Sequence, residues 1–258
     1  MPIRSRAPLP YLIPLLLACT ALLALTAYLL GGSPTARKAD RPAAEAVGEA
    51  AEEAPPIACV VIDPGHGGED GGASSAAGLA EKEVNLSVAL ALRDLFEAAG
   101  IPVVMTRTED ILLYDRGVNF EGRKKVLDLA ARRLVAERTA ADAARSGGTA
   151  LFVSIHMNAF PQPQYSGMQV WYSTGDPRSA EIAEAIQTAS AALMPHNRRK
   201  IKAAGSGIYL LDRIQSPAVL VECGFLSNPE EAARLARADY QNALAVLLFA
   251  AIAPRISP

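Results

Sequence analysis

Val60-Val61-Ile62-Asp63-Pro64-Gly65-His66-Gly67-Gly68 is the stretch from which the fold can be read. The apolar run from Ala58 to Ile62 has the character of a buried strand, and Asp63-Pro64-Gly65 breaks it into a glycine-rich loop that carries His66. A second apolar strand, Leu151-Phe152-Val153-Ser154-Ile155, ends on His156, and a third, Val219-Leu220-Val221, ends on Glu222. Glu81 opens the first amphipathic segment after the His66 loop. Three of these four polar groups therefore stand at or just past the ends of buried strands, where open α/β sheets gather ligands and chemistry. Two imidazoles and one carboxylate, with a second carboxylate to spare, suit a catalytic zinc with an open position.

Working outward, strands alternate with helices. Val84, Val88, Leu92, Leu95 and Ala99 mark one helical face closed by Gly100, and Ile101 to Thr106 is then a strand. A polar loop from Thr108 to Gly122 leads to a long charged helix from about Arg123 to Ser146. Gly167 to Tyr172 alternates like a strand, Arg178 to Leu193 is helical, and Ile208 to Leu211 has the look of a short strand. Asn228-Pro229-Glu230-Glu231 starts a short helix, with proline in its first turn and acidic residues on the positive end of the dipole. Asp239 to Ile252 supplies the last helix. The expectation is α/β: a single domain with a mainly parallel twisted sheet flanked by helices, spanning 57–258.

The N-terminal part is different in kind. Arg4 and Arg6 precede an apolar stretch from Tyr11 to Leu30, about 30 Å long as a helix and so sufficient to cross a bilayer. Residues 1–30 read as an uncleaved signal-anchor or as a signal peptide with a long apolar region, and the length favours the anchor. Either way the protein is exported, anchored to the outer face of the cytoplasmic membrane or secreted. Residues 31–56, rich in Ala, Glu, Pro and Gly, lack the large apolar side chains needed to offset ordering entropy and read as a flexible tether.

Composition narrows the classes. Half of the 258 residues are apolar, enough for one sizeable core, and a formal charge of -2 leaves no basic footprint for nucleic acid. Three cysteines are too few and too scattered for a disulfide framework, and Cys59 and Cys223 read as small core residues. Glu222 is the most telling polar residue, because a lone carboxylate in a run as apolar as Ala218 to Val221 is costly to bury unless paired, protonated or near a metal. Alternation along an extended segment sends Cys223 to the opposite side, away from any site that Glu222 faces. Glu81 is weaker taken by itself. Spacing alone does not separate it from Glu83, or from Glu69 and Asp70 in the loop, and acidic residues are ordinary at a helix start.

Asp63-Pro64-Gly65-His66-Gly67-Gly68, Glu81-Lys82-Glu83-Val84-Asn85-Leu86, Thr106-Arg107-Thr108, Ser154-Ile155-His156-Met157-Asn158-Ala159 and Val221-Glu222-Cys223-Gly224-Phe225-Leu226-Ser227-Asn228 together resemble the zinc-dependent N-acetylmuramoyl-L-alanine amidases. The resemblance covers Ile57 to Ile252, with five motifs in order. It implies zinc bound by His66, Glu81 and His156, with Glu222 as the catalytic residue, and hydrolysis of the amide between N-acetylmuramic acid and L-alanine in peptidoglycan. Glu222 would take a proton from the attacking water and return it to the departing amine. Gln169-Val170-Trp171-Tyr172, Asn197-Arg198-Arg199, Ile208-Tyr209-Leu210-Leu211 and the cysteine after Glu222 look closest to the germination-specific amidases of spore formers, which implies a part in making muramic-δ-lactam in spore cortex. Asp63 either takes the second ring nitrogen of His66 as a partner or caps the loop, and Arg107 either meets a stem-peptide carboxylate or forms a surface ion pair. An activating protein partner, unidentified, is compatible with it. The rival readings are another zinc peptidase acting on the stem peptide and a non-catalytic peptidoglycan-binding module.

Overall fold

The computed structural model describes residues 54–114 and 122–257. The stretch expected to be a membrane or signal helix, and nearly all of the expected tether, lie outside them. Among the described residues no helix is long and apolar enough to cross a membrane.

Six strands form one sheet: β1 (Ile57–Pro64), β2 (Val103–Met105), β3 (Thr149–Asn158), β4 (Gln169–Tyr172), β5 (Lys202–Ala203) and β6 (Ala218–Phe225), in the order β2-β1-β3-β6-β4-β5. Every pairing is parallel except that of β4 with β6, so the sheet is mixed. The helices are α1 (Glu81–Ala98), α2 (Lys124–Ala144), α3 (Arg178–Ala189), α4 (Tyr209–Arg213), α5 (Pro229–Leu235) and α6 (Ala238–Ile252).

Strand alternation splits the core in two. Val60, Ile62, Val153, Ile155, Val219, Val221 and Cys223 face one side, where Val88, Leu92 and Phe96 of α1, Ile182 and Ile186 of α3, and Leu244 and Leu248 of α6 cover them. Val61, Phe152 and Leu220 face the other side, against Ala136 of α2 and Leu210, Leu211 and Ile214 at α4. Cys223 is fully buried, as expected of a core thiol, whereas Cys59 is only partly so.

The chain leaves β1 through α1 to β2 on one side, then returns through α2 to β3 on the other. Helices that depart to opposite faces open a crevice at the carboxyl ends of β1 and β3, the switch point where open α/β sheets bind ligands.

Two local readings change. Ile208 to Leu211 is not a strand: Asp212 N–H donates to Ile208 O and Ile214 N–H to Leu210 O, a helical turn that buries Leu210, Leu211 and Ile214 together. A four-residue apolar run does not distinguish the two by periodicity. Strand β5 lies in a basic stretch whose side chains are exposed, so no alternation marks it.

Beneath the crevice lies a buried ion network. Arg132 of α2 donates through Nη1 to Asp63 Oδ1 at 2.7 Å and through Nε to Asp128 Oδ2 at 2.7 Å. Asp63 also accepts from Thr106 Oγ1 at 2.6 Å and Ser154 Oγ at 2.7 Å. Burial opposes the charge on Asp63, but Arg132 and these hydrogen bonds hold its pKa below the ordinary value. Removing one partner of such a pair strands a buried charge. Arg132→Met should therefore lose about 3–5 kcal/mol in denaturant unfolding. A loss under about 1 kcal/mol would show that the network does not support the fold. Because the folded Asp63 pKa is depressed, its contribution is complete above about pH 4 and disappears as the pH falls through the folded value. The variant should accordingly lose part of that acid sensitivity.

Candidate metal centre

His66 follows β1 in a left-handed backbone conformation (φ +60°), the only positive φ of a non-glycine residue among the described residues. Such a conformation costs about 1–3 kcal/mol and persists only where surroundings impose it. Here they do. Pro64 O accepts from Arg107 Nε at 2.9 Å and Arg132 Nη1 at 2.7 Å, Gly65 O from Arg107 Nη2 at 2.9 Å, and His66 O from Arg132 Nη2 at 2.6 Å. Gly65 packs against β3 so closely that a Cβ there would lie 2.2 Å from the His156 ring. Gly72, at φ +66°, passes just as near Glu81, 2.5 Å from its Oε2 by the same measure.

Glu81 is the first residue of α1 and is buried (4 % exposed). The loop brings it back to the site: Glu81 N–H donates to Ala73 O at 2.8 Å, and Ala73 N–H donates to Glu81 Oε2 at 2.8 Å. Its Oε1 lies 2.9 Å from His156 Nδ1 and accepts from Met157 N–H at 3.1 Å, and its Oε2 lies 3.3 Å from His66 Nε2. Asn85, one helical turn on, donates to Gly65 O at 3.1 Å and so ties the helix to the loop. His66, Glu81 and His156 each present a ligand atom, all within 4.8 Å of one another, and the two imidazole rings meet edge to face at 5.1 Å. Of the acidic candidates that spacing left open, Glu81 is the one the structure brings between the histidines.

Glu222 stands on β6 directly beside His156 of β3 in parallel register, hence on the same face, while Cys223 turns into the opposite core. Its Oε2 is buried without a hydrogen-bond partner among the described residues. Burial pushes its pKa up to about 7, with the His156 charge lowering it and Glu81 raising it. The Glu81 carboxyl, by contrast, is held well below the usual range: burial opposes its charge, but the two histidines outweigh that.

Two expectations give way. Asp63 does not orient His66, because its oxygens are taken by Arg132, Thr106 and Ser154; Asp70 Oδ2 instead lies 2.9 Å from His66 Nδ1. Arg107 is buried (2 % exposed) and spent on backbone carbonyls, so it is neither a surface ion pair nor a contact for a ligand carboxylate. The sequence reading missed Gly65 and Asn85 as supports of the site. The position of Asn85 four residues after Glu81 was the available signal.

The N-acetylmuramoyl-L-alanine amidase family model matches residues 60–254. The germination-specific N-acetylmuramoyl-L-alanine amidase of Bacillus subtilis is 36% identical over 193 residues, covering 75% of this chain and 77% of that protein. The amidase LytC of Bacillus subtilis is 32% identical over 185 residues, 71% of this chain but 32% of its own length. Among solved structures, the CwlD amidase of Clostridioides difficile, in complex with the GerS lipoprotein, superposes with a TM-score of 0.69 at 33% identity, covering 76% of this chain and 97% of that one. With the match running from the strand before His66 to the end of the last helix, the chain belongs to the N-acetylmuramoyl-L-alanine amidase family and is a peptidoglycan amidase.

Proposed function

We propose that this amidase is a zinc enzyme in which His66, Glu81 and His156 hold the metal and Glu222 moves the proton. The observation that carries the reading is the Glu222 carboxyl, with its buried Oε2 unpartnered among the described residues, on the strand beside a His/Glu/His cluster. The cluster fits zinc chemically: two imidazoles and one carboxylate are a catalytic donor set. It also leaves the buried Glu222 Oε2 without a hydrogen-bond partner among the described residues. Zinc in such a set supplies Lewis acidity, lowering the pKa of water from about 15.7 towards about 7 and polarising a carbonyl oxygen.

The protein's own groups do the rest. Glu222, standing beside His156 in register, accepts a proton from the water that attacks the lactyl carbonyl of N-acetylmuramic acid. The same carboxyl, once protonated, gives that proton to the departing L-alanine nitrogen, so each turnover returns Glu222 to its starting state. Glu81, bonded by Ala73 and Met157 amides, fixes the spacing of the two imidazoles.

Several finer assignments belong to the same proposal. A chain divided into 1–30 as export segment, 31–56 as tether and 57–258 as catalytic domain would work outside the cytoplasm. Action on spore cortex is supported by the likeness to the germination-specific enzyme, and a protein partner by the CwlD structure, which contains a lipoprotein.

The first experiment pairs zinc analysis of the purified chain with peptidoglycan digestion, with and without chelator. One zinc per chain and chelator-sensitive release of L-alanine amino termini are expected; release of a different new terminus would favour a peptidase. Glu222→Gln should keep its zinc and lose turnover by about 10²–10⁴-fold. Turnover within tenfold of the parent would remove Glu222 from the proton-transfer role. His156→Ala should lose the metal, and so should Gly65→Ala, whose new methyl meets the His156 ring. If metal analysis and circular dichroism show Gly65→Ala folded and fully loaded, the close packing of that glycine is not what positions His156.

A further inference from the structure

A second recess of about 360 Å³ opens across the sheet from Glu222. Gln169 of β4, directly opposite Glu222 in the antiparallel register, forms its near edge, and Trp171 lies two residues further along the same strand. Asn158 and Phe225, register partners just past His156 and Glu222, form another wall. The recess thus shares β3 and β6 with the reacting groups and extends over β4 to β5.

Its chemistry is cationic and aromatic. Arg199 lies with its guanidinium carbon 4.4 Å from the Phe225 ring centre and donates through Nε to Ser166 O at 2.8 Å. Lys202 of β5 holds its ammonium 5.1 Å from the Trp171 ring centre. Among the described residues neither cation has a carboxylate partner. Phe160 and Tyr165, ring to ring at 5.0 Å, stay 48% and 42% exposed at the rim, an aromatic surface that the fold itself does not bury. The far wall is built rather than loose. The buried Glu231 carboxylate accepts from Phe225 N–H at 2.8 Å and from Gly167 N–H at 3.0 Å, and Gln169 Nε2 donates to Lys200 O.

We propose that this recess is the subsite for the acidic stem peptide, with Arg199 and Lys202 receiving its carboxylates and Trp171 and Phe225 carrying its aliphatic part. The inference rests on the amidase reading of the neighbouring site. It commits to the peptide side of the scissile bond, because the N-acetylated glycan is uncharged there while the stem carries free carboxylates. Spacing agrees: β4 and β5 lie about 5 and 10 Å from β6. An extended peptide advances about 3.3–3.6 Å per residue, so carboxylates two to three residues beyond the cut reach the two cations.

Trp171 is the chain's single tryptophan and lines the recess, so its fluorescence reports occupancy independently of turnover. The test titrates the full, zinc-loaded chain with a free stem peptide beginning L-alanine–γ-D-glutamate, with its carboxyl-amidated analogue, and with an N-acetylglucosamine oligomer. The acidic peptide should shift Trp171 emission and bind at least tenfold more tightly than the amidated one. Arg199→Ala and Lys202→Ala should each weaken it about five- to tenfold, as expected for a lost charge-assisted contact, with Arg199→Lys recovering part of the loss. Equal binding of the acidic and amidated peptides, a response to the sugar oligomer alone, or no response to any ligand would overturn the assignment. Loss of peptidoglycan hydrolysis with the fluorescence response intact would count against the zinc mechanism and leave the peptide subsite standing.

Discussion

The site depends on three backbone carbonyls and two buried guanidinium groups. Pro64, Gly65 and His66 turn out of β1 with their carbonyls pointing into protein, where an unpaired acceptor costs about 1–3 kcal/mol. Arg107 and Arg132 satisfy all three. Their charges are balanced within the same layer by Asp63 and Asp128. Burial and the nearby Arg132 charge lower the Arg107 pKa to about 10, which still leaves it protonated. This neutral, fully bonded base holds His66 in its left-handed conformation and brings Gly65 against the His156 ring. A rigid support of this kind is what a site needs if its imidazoles are to keep their spacing.

The scaffold of the site was largely legible in the sequence; its supports were not. Apolar runs that end on His156 and Glu222, or break just before the loop of His66, placed those residues at or just past strand ends, because a buried strand is a local pattern. Alternation separated Glu222 from Cys223 for the same reason. Glu81 was different. Its helix start returns to the site through the Ala73 contacts and a loop with Gly72 at positive φ, a path that no periodicity encodes. Arg107 and Asp63 were drawn towards the site by their motifs, yet both serve the network beneath it. Asp63 meets Thr106, Arg132 and Ser154 from 43, 69 and 91 residues away, and Arg107 reaches back 43 and 42 residues to Pro64 and Gly65, beyond any local rule. The short α4 failed as a strand on the opposite ground, that four apolar residues fit either period.

The reversal of β4 in an otherwise parallel sheet links the His/Glu cluster to the ground beyond it. Helices normally cover both faces of parallel strands, as α1, α3 and α6 do on one side here. On the other side α2 and α4 cover Val61, Phe152 and Leu220, and His156, Glu222 and Gln169 form a register row across β3, β6 and β4. Because β4 runs antiparallel to β6, it carries Gln169 and then Trp171 back from Glu222 on that same face. β5 adds Lys202 beside Trp171. Two histidines and two glutamates gather at the switch point, but nothing in that cluster distinguishes one amide from another. That choice falls to surface within about 10 Å of Glu222, and the antiparallel strand supplies such a surface with cations and aromatic rings.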